Sequence, residues 1–129
     1  MLNCTTVQVS NSSPIPECGG DHEAPDRAPA DPQVVERAAA FLKAMADEGR
    51  LQVLALLARG EACVSEVAEV LAMDISTISH RLRVLRSEGL VRRRREGRHV
   101  YYHLEDEHVR HLLEAAIEHA AHETESGRR

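Results

Sequence analysis

Asp74-Ile-Ser-Thr-Ile-Ser-His-Arg-Leu-Arg-Val-Leu-Arg-Ser-Glu88 is written around four apolar positions. Ile75, Ile78, Leu82 and Leu85 recur at spacings of three, four and three, which aligns them on one face of a helix. The opposite arc carries Ser76, Thr77, His80 and Arg83, with Arg81 on the flank. Asp74 stands where a capping residue belongs. A shorter helix is predicted just upstream, from Val64 to Leu71, with Val64, Val67, Ala68 and Leu71 facing inward. Only Ala72-Met73-Asp74 separates the two, so the pair reads as a helix-turn-helix. Hydroxyls at the start of the second helix suit phosphates, and the His and Arg that follow can reach base edges in a major groove. The candidate DNA contacts here are Ser76, Thr77, Ser79, His80, Arg81 and Arg83.

Past Gly89 the period changes. Leu90 to Arg95 and His99 to Leu104 flank Glu96-Gly97-Arg98, a hairpin with glycine in its turn. On the second strand Val100, Tyr102 and Leu104 alternate with His99, Tyr101 and His103. Residues 80–98 hold eight arginines against two glutamates, a net of +6 in a chain whose net charge is −5. A basic block on an acidic protein is a localised footprint for a polyanion. Charge alone also fits a solvated basic face, but a basic hairpin directly after such a helix reads as a wing. It adds Arg94, Arg95 and Arg98 to the candidate DNA contacts.

Outward from this centre, 129 residues make one domain. Apolar residues reach 43% while aromatics are 2%, so the core is aliphatic and helices pack on helices. Residues 1–30, rich in Ser, Asn, Pro and Gly, read as a flexible arm, residues 31–123 as the folded domain and 124–129 as a disordered tail. Asp31-Pro32 opens a first helix along Val35, Ala38, Ala39, Leu42 and Met45. A second, from about Asp47 to Arg59, is expected to bury Leu51, Leu54, Ala55 and Leu57 and to stop at Gly60. No apolar run approaches the roughly 18 residues of a membrane span, and the N-terminus lacks a signal-peptide pattern, so a soluble cytoplasmic protein is expected. Cys4, Cys18 and Cys63 are odd in number and lack a framework spacing, which leaves free thiols or metal ligands.

The last helix, about 106–123, puts Val109, Leu112, Leu113, Ala116, Ile117 and Ala120 on one stripe. It also carries Asp106, His108, His119 and His122. The three histidines fall within a sector of roughly 60° at about 100° per residue, and with the carboxylate they complete a tetrahedral zinc set. Yet His108 and His119 stand about 16 Å apart along one axis, too far for a single ion to bridge. The ligands converge only if a second copy runs antiparallel, so the spacing predicts a metal and a homodimer together. Asp106 fits only at or before the helix start, because i and i+2 do not share a face. His111, three residues beyond His108, is a competing donor. Four protein ligands leave no open position, which argues for structure or regulation over catalysis. Nothing resembles a phosphate loop or a nucleophile–base triad, and no small organic substrate is implied.

Taken in order, Glu61-Ala62-Cys63-Val64-Ser65-Glu66, Ile78-Ser79-His80-Arg81-Leu82-Arg83 and Gly97-Arg98-His99-Val100-Tyr101-Tyr102 resemble the ArsR/SmtB family of metal-sensing repressors, nearest its zinc-sensing SmtB-type members. The resemblance covers about residues 31–123. It implies a mainly α winged helix-turn-helix with a β-hairpin wing, dimerising through its first and last helices on double-stranded operator DNA. It also implies zinc at Asp106, His108, His119 and His122 between subunits, with cobalt or cadmium as substitutes, and a hydrogen-bonded link from His119 to the recognition helix near His80. A second site is implied by Cys18-Gly-Gly-Asp-His22 of the arm with Cys63 and Glu66. The family's dithiol sensors carry Cys-x-Cys where this chain has Cys63-Val64-Ser65, so a three-thiol site is not expected there. The alternatives are a redox- or sulfide-responsive repressor using Cys18 and Cys63, and a metal-buffering protein.

Overall fold

The computed structural model describes residues 28–125 and Gly127. Cys4, Cys18 and His22 lie outside them. Five helices and three strands follow in the order α1 (Pro32–Met45), α2 (Glu48–Leu57), β1 (Ala62–Cys63), α3 (Val64–Leu71), α4 (Ile75–Ser87), β2 (Val91–Glu96), β3 (His99–Leu104) and α5 (Glu107–Glu125). No helix among the described residues is long and apolar enough to cross a membrane.

Acidic caps set where several helices begin. Asp31 accepts from the Gln33 amide at 2.9 Å, with Pro32 at the first helical position. Asp47 accepts from Arg50 N at 3.0 Å, and the Arg50 side chain turns back to the Ala44 carbonyl at 2.7 Å, closing the end of α1. Asp74 occupies the capping position of α4 without a capping hydrogen bond. Between α3 and α4 the chain turns at Ala72 in a left-handed conformation, φ 53°, and Met73 N returns to the Ala68 carbonyl at 2.9 Å.

The core is where α2, α3 and α4 meet the base of the sheet. Val53, Leu54 and Leu57 of α2, Val67 and Ala68 of α3, and Ile78, Leu82 and Leu85 of α4 are buried together. Leu90, Val91 and Leu104 seal the sheet end, and α5 enters through Val109 and Leu113. The hairpin turns over Gly97 and Arg98, with Gly97 at φ 63°, and Val91 pairs with Leu104 at its base and Glu96 with His99 at its tip.

Several expectations are corrected. Ile75, placed on the buried stripe of α4, is 58% exposed, because packing against the neighbouring helices starts one turn later at Ile78. Val53, not Ala55, fills the buried face of α2 beside Leu54 and Leu57; Leu51 and Ala55 are half-buried. β1, which no pattern announced, adds a third strand, with Ala62 paired to Tyr102 and Cys63 to Tyr101 on the free edge of β3. Helix α5 runs through Glu125 rather than ending at 123, so Thr124 and Glu125 are not tail. Of its expected stripe only Val109 and Leu113 are buried; Leu112 and Ile117 are each 43% exposed.

Leu82→Ala should cost about 2–5 kcal/mol in a urea unfolding curve, whereas Ile75→Ala should stay within about 0.5 kcal/mol. Equal costs would show that the first turn of α4 is part of the core after all. Asp47 makes a second test, because the Arg50 amide first, and then the Arg50 and Arg81 charges, hold its carboxyl below its ordinary value of 3.8 despite some desolvation. A depressed carboxylate contributes stability above its unfolded pKa, and that contribution disappears as pH falls through the folded one. The urea midpoint should therefore fall below about pH 4, and less steeply in Asp47→Asn, which keeps a capping oxygen but cannot titrate.

Candidate DNA face and metal half-sites

On α4 the burial of Ile78, Leu82 and Leu85 turns the opposite arc outward. Ser76, His80 and Arg83 are exposed, and Thr77 and Ser79 are half-buried at the edge of the stripe. Arg81, expected among the DNA contacts, points back into the fold. Its guanidinium donates to the Met73 sulfur at 2.8 Å and lies over Gly49, where a side-chain carbon would collide with it. It braces the helix-turn-helix against the start of α2.

The wing sorts its arginines by strand alternation. Residues paired across strands share a face, so Arg92 and Arg94 lie with His103 and Tyr101, and Arg93 and Arg95 with Tyr102 and Val100. The first pair is occupied. Arg92 donates to Glu105 at 2.9 Å. Arg94 forks onto both carboxylate oxygens of Glu61, reaches Glu96 at 2.6 Å, and stacks 4.9 Å above the Tyr101 ring. The Arg94 hydrogen bonds hold the Glu61 carboxyl below the usual range, against some desolvation. Arg94, expected among the DNA contacts and still 44% exposed, is thus engaged within the fold by two carboxylates and a ring. Arg93, absent from the sequence-based set, joins Arg95 and Arg98 as exposed cations with no acidic partner among the described residues. The period of two puts Arg93 and Arg95 on the same face of β2 as Val91, but a run of four arginines hides its own faces.

At the other end of the molecule, Asp106 stands one residue before α5. Its Oδ1 accepts the Val109 amide at 3.1 Å and its Oδ2 lies 3.6 Å from His108 Nδ1. That amide first, and His108 after it, hold the carboxyl below the ordinary range against slight desolvation, so it is an anion at neutral pH. Being off the helix lets Asp106 share a side with His108. His119 and His122 project from the far half of α5, 78% and 71% exposed, with Glu123 and Glu118 at 3.8 and 3.9 Å. Contacts that long between exposed side chains contribute little. His111 is exposed on the same helix. No three His, Cys, Asp or Glu side chains converge within one chain among the described residues. Elsewhere Cys63 Sγ lies 3.1 Å from Glu66 Oε1, which also accepts the Cys63 amide at 3.4 Å, a thiol and a carboxylate held together at the start of α3.

Residues 47–93 match the family described as bacterial regulatory protein, arsR family. The chain is 44% identical over 84 residues to the transcriptional repressor SmtB homolog of Synechocystis sp., spanning 65% of this chain and 64% of that relative. It is 42% identical over 82 residues to the cadmium resistance transcriptional regulatory protein CadC homolog of Staphylococcus aureus, spanning 63% and 68%. The chain belongs to the ArsR family. A solved neighbour is the homodimeric winged helix-turn-helix DNA-binding domain of a possible ArsR-family regulator from Mycobacterium bovis. It shares a TM-score of 0.65 and 36% identity over 78% of this chain and 92% of that one. As an ArsR-family protein, this chain is a winged helix-turn-helix transcriptional regulator and not an enzyme.

His80→Ala or Arg83→Ala should weaken the preferred DNA sequence by about 1–3 kcal/mol per lost base contact and spare non-specific binding. Arg93→Ala or Arg95→Ala should weaken all duplexes alike and lower the slope of log K against log salt by about 1. Anisotropy titrations on matched and scrambled duplexes measure both; identical behaviour of the two groups would refute the division into reading head and wing.

Proposed function

We propose that this regulator is a homodimeric, zinc-responsive repressor. The metal-free dimer holds operator DNA, and zinc bridging the two α5 helices releases it. The observation that carries the reading is the division of donors along α5. Asp106 and His108 sit together at its start, and His119 and His122 lie eleven and fourteen residues beyond His108 on exposed turns. Neither pair can complete a site alone; an antiparallel second copy brings each pair to the other, twice per dimer by symmetry. The donor chemistry fits the ion, since three imidazoles and one carboxylate make a closed tetrahedral set. The same set accepts cobalt or cadmium. Zinc bound there supplies a cross-link between subunits, and its effect on DNA is reciprocal: whatever factor it takes from DNA affinity, DNA takes from zinc affinity.

Exposed apolar residues on α1 and α5, Val35 and Leu42 with Leu112 and Ile117, support burial of these helices in a dimer. The homodimeric neighbour supports the dimer, and the relative named for cadmium resistance supports a metal-responsive regulator. Contact between Cys63 and Glu66 favours a second, softer site completed by Cys18 and His22 of the arm, secondary to the α5 pair in zinc sensing.

Zinc titrated into a complex of the protein with a fluorescent duplex should release the DNA, and His119→Ala should remain bound. The geometry has its own test. His108→Ala and His119→Ala each lack tight zinc binding, but mixing them and allowing subunit exchange gives heterodimers with one site doubly damaged and one intact. Tight binding should reappear at up to one zinc per heterodimer. No recovery, with exchange confirmed, would rule out the inter-subunit site.

A further inference from the structure

The base of the wing packs into the core through Leu90, Val91, Leu104 and Tyr102, but towards its tip it is tied to the body of the domain at few points. Strand β1 meets β3 only at Tyr101 and Tyr102, and from Arg95 to Val100 the tip has only its own strand pairing. A two-stranded ribbon on its own is marginal in water. Arg94 reaches from the ribbon to the body of the domain. Arg94 donates through Nε at 2.9 Å and through Nη2 to the two oxygens of Glu61, just before β1, and through Nη1 at 2.6 Å to Glu96, the last residue of β2. Tyr101, paired with both Arg94 and Cys63, supports the guanidinium from below. The body of the domain, at Glu61, and the tip of the hairpin, at Glu96, are thus joined through one planar cation whose fork matches a carboxylate.

We propose that the Glu61–Arg94–Glu96 clamp, stacked on Tyr101, is a positioning device that holds the wing where Arg93, Arg95 and Arg98 can reach DNA phosphates. It rests on the DNA-binding reading above. Arg94 and Glu61 remain partly exposed, at 44% and 38%, so the clamp adds little to global stability; it acts on the orientation of a weakly held element.

Charge and geometry predict opposite outcomes. Glu61→Gln removes a negative charge beside the DNA face, so simple electrostatics predicts tighter binding. The clamp predicts weaker binding, by roughly tenfold, and a salt slope lower by about 1–2 although no cation has been removed, because phosphate contacts made by the wing are lost. Arg94→Lys keeps the charge but loses the fork, and should behave like Glu61→Gln. The test uses the full chain, a duplex selected from a random pool by the wild-type protein, anisotropy across a salt series, and hydrogen exchange of the wing amides. Faster exchange at residues 95–100 with an unchanged urea midpoint should accompany both variants. Unchanged or tighter DNA binding with an unchanged slope overturns the clamp while leaving the DNA reading intact. A wild-type protein that selects no duplex overturns both.

Discussion

Everything in this domain hangs on the wholly buried edge of α4. Ile78, Leu82 and Leu85 reach the core beside Leu54 and Leu57 of α2 and Val67 of α3. Together these side chains remove several large aliphatic groups from water, each worth about 1.5–3 kcal/mol when fully buried. A helix held along one stripe has no rotational freedom left. His80 and Arg83 therefore face outward for the same reason that Leu82 faces inward. The reading head is the complement of the core, and its direction needs no polar interaction to fix it.

Where the core ends, polar contacts take over the same task. Arg81 covers Gly49 and meets the Met73 sulfur, bracing the turn between α3 and α4 against α2. Arg110 donates to the Ala58 carbonyl at the end of α2, anchoring the start of α5 beside the buried Val109. In the wing, acids next to arginines divide a basic ribbon into a braced face and an available one. An arginine count overstates what such a ribbon offers to DNA, because part of its charge is consumed in holding its own shape.

Helix α5 illustrates the converse. Only Val109 and Leu113 of its apolar stripe are buried, while its histidines are exposed and Leu112 and Ile117 are each only partly covered. A helix is rigid over this length, so its ends cannot fold together around an ion. In the proposed metal bridge, that rigidity leaves each half-site incomplete, so metal binding would be coupled to association and through it to the spacing of the two α4 helices.

Much of this was legible in the residues. The stripe of α4, the Gly97 turn, the Asp31 and Asp47 helix starts and the position of Asp106 ahead of α5 are local matters, decided by period, capping and the φ freedom of glycine. The donor pattern on α5 was legible too, because a helix converts sequence spacing directly into distance. The remainder depends on which neighbour is present. Ile75 obeys the apolar period yet stays exposed, since nothing packs over the first turn of α4. Two-residue β1 exists only because β3 offers an open edge. Arg94 and Arg95 are adjacent and chemically identical, and the distant Glu61, thirty-three residues before Arg94, is among the groups that assign one to the scaffold and leave the other to solvent. Periodicity fixes the direction of a side chain relative to its own element; what it meets there is a property of the tertiary structure alone.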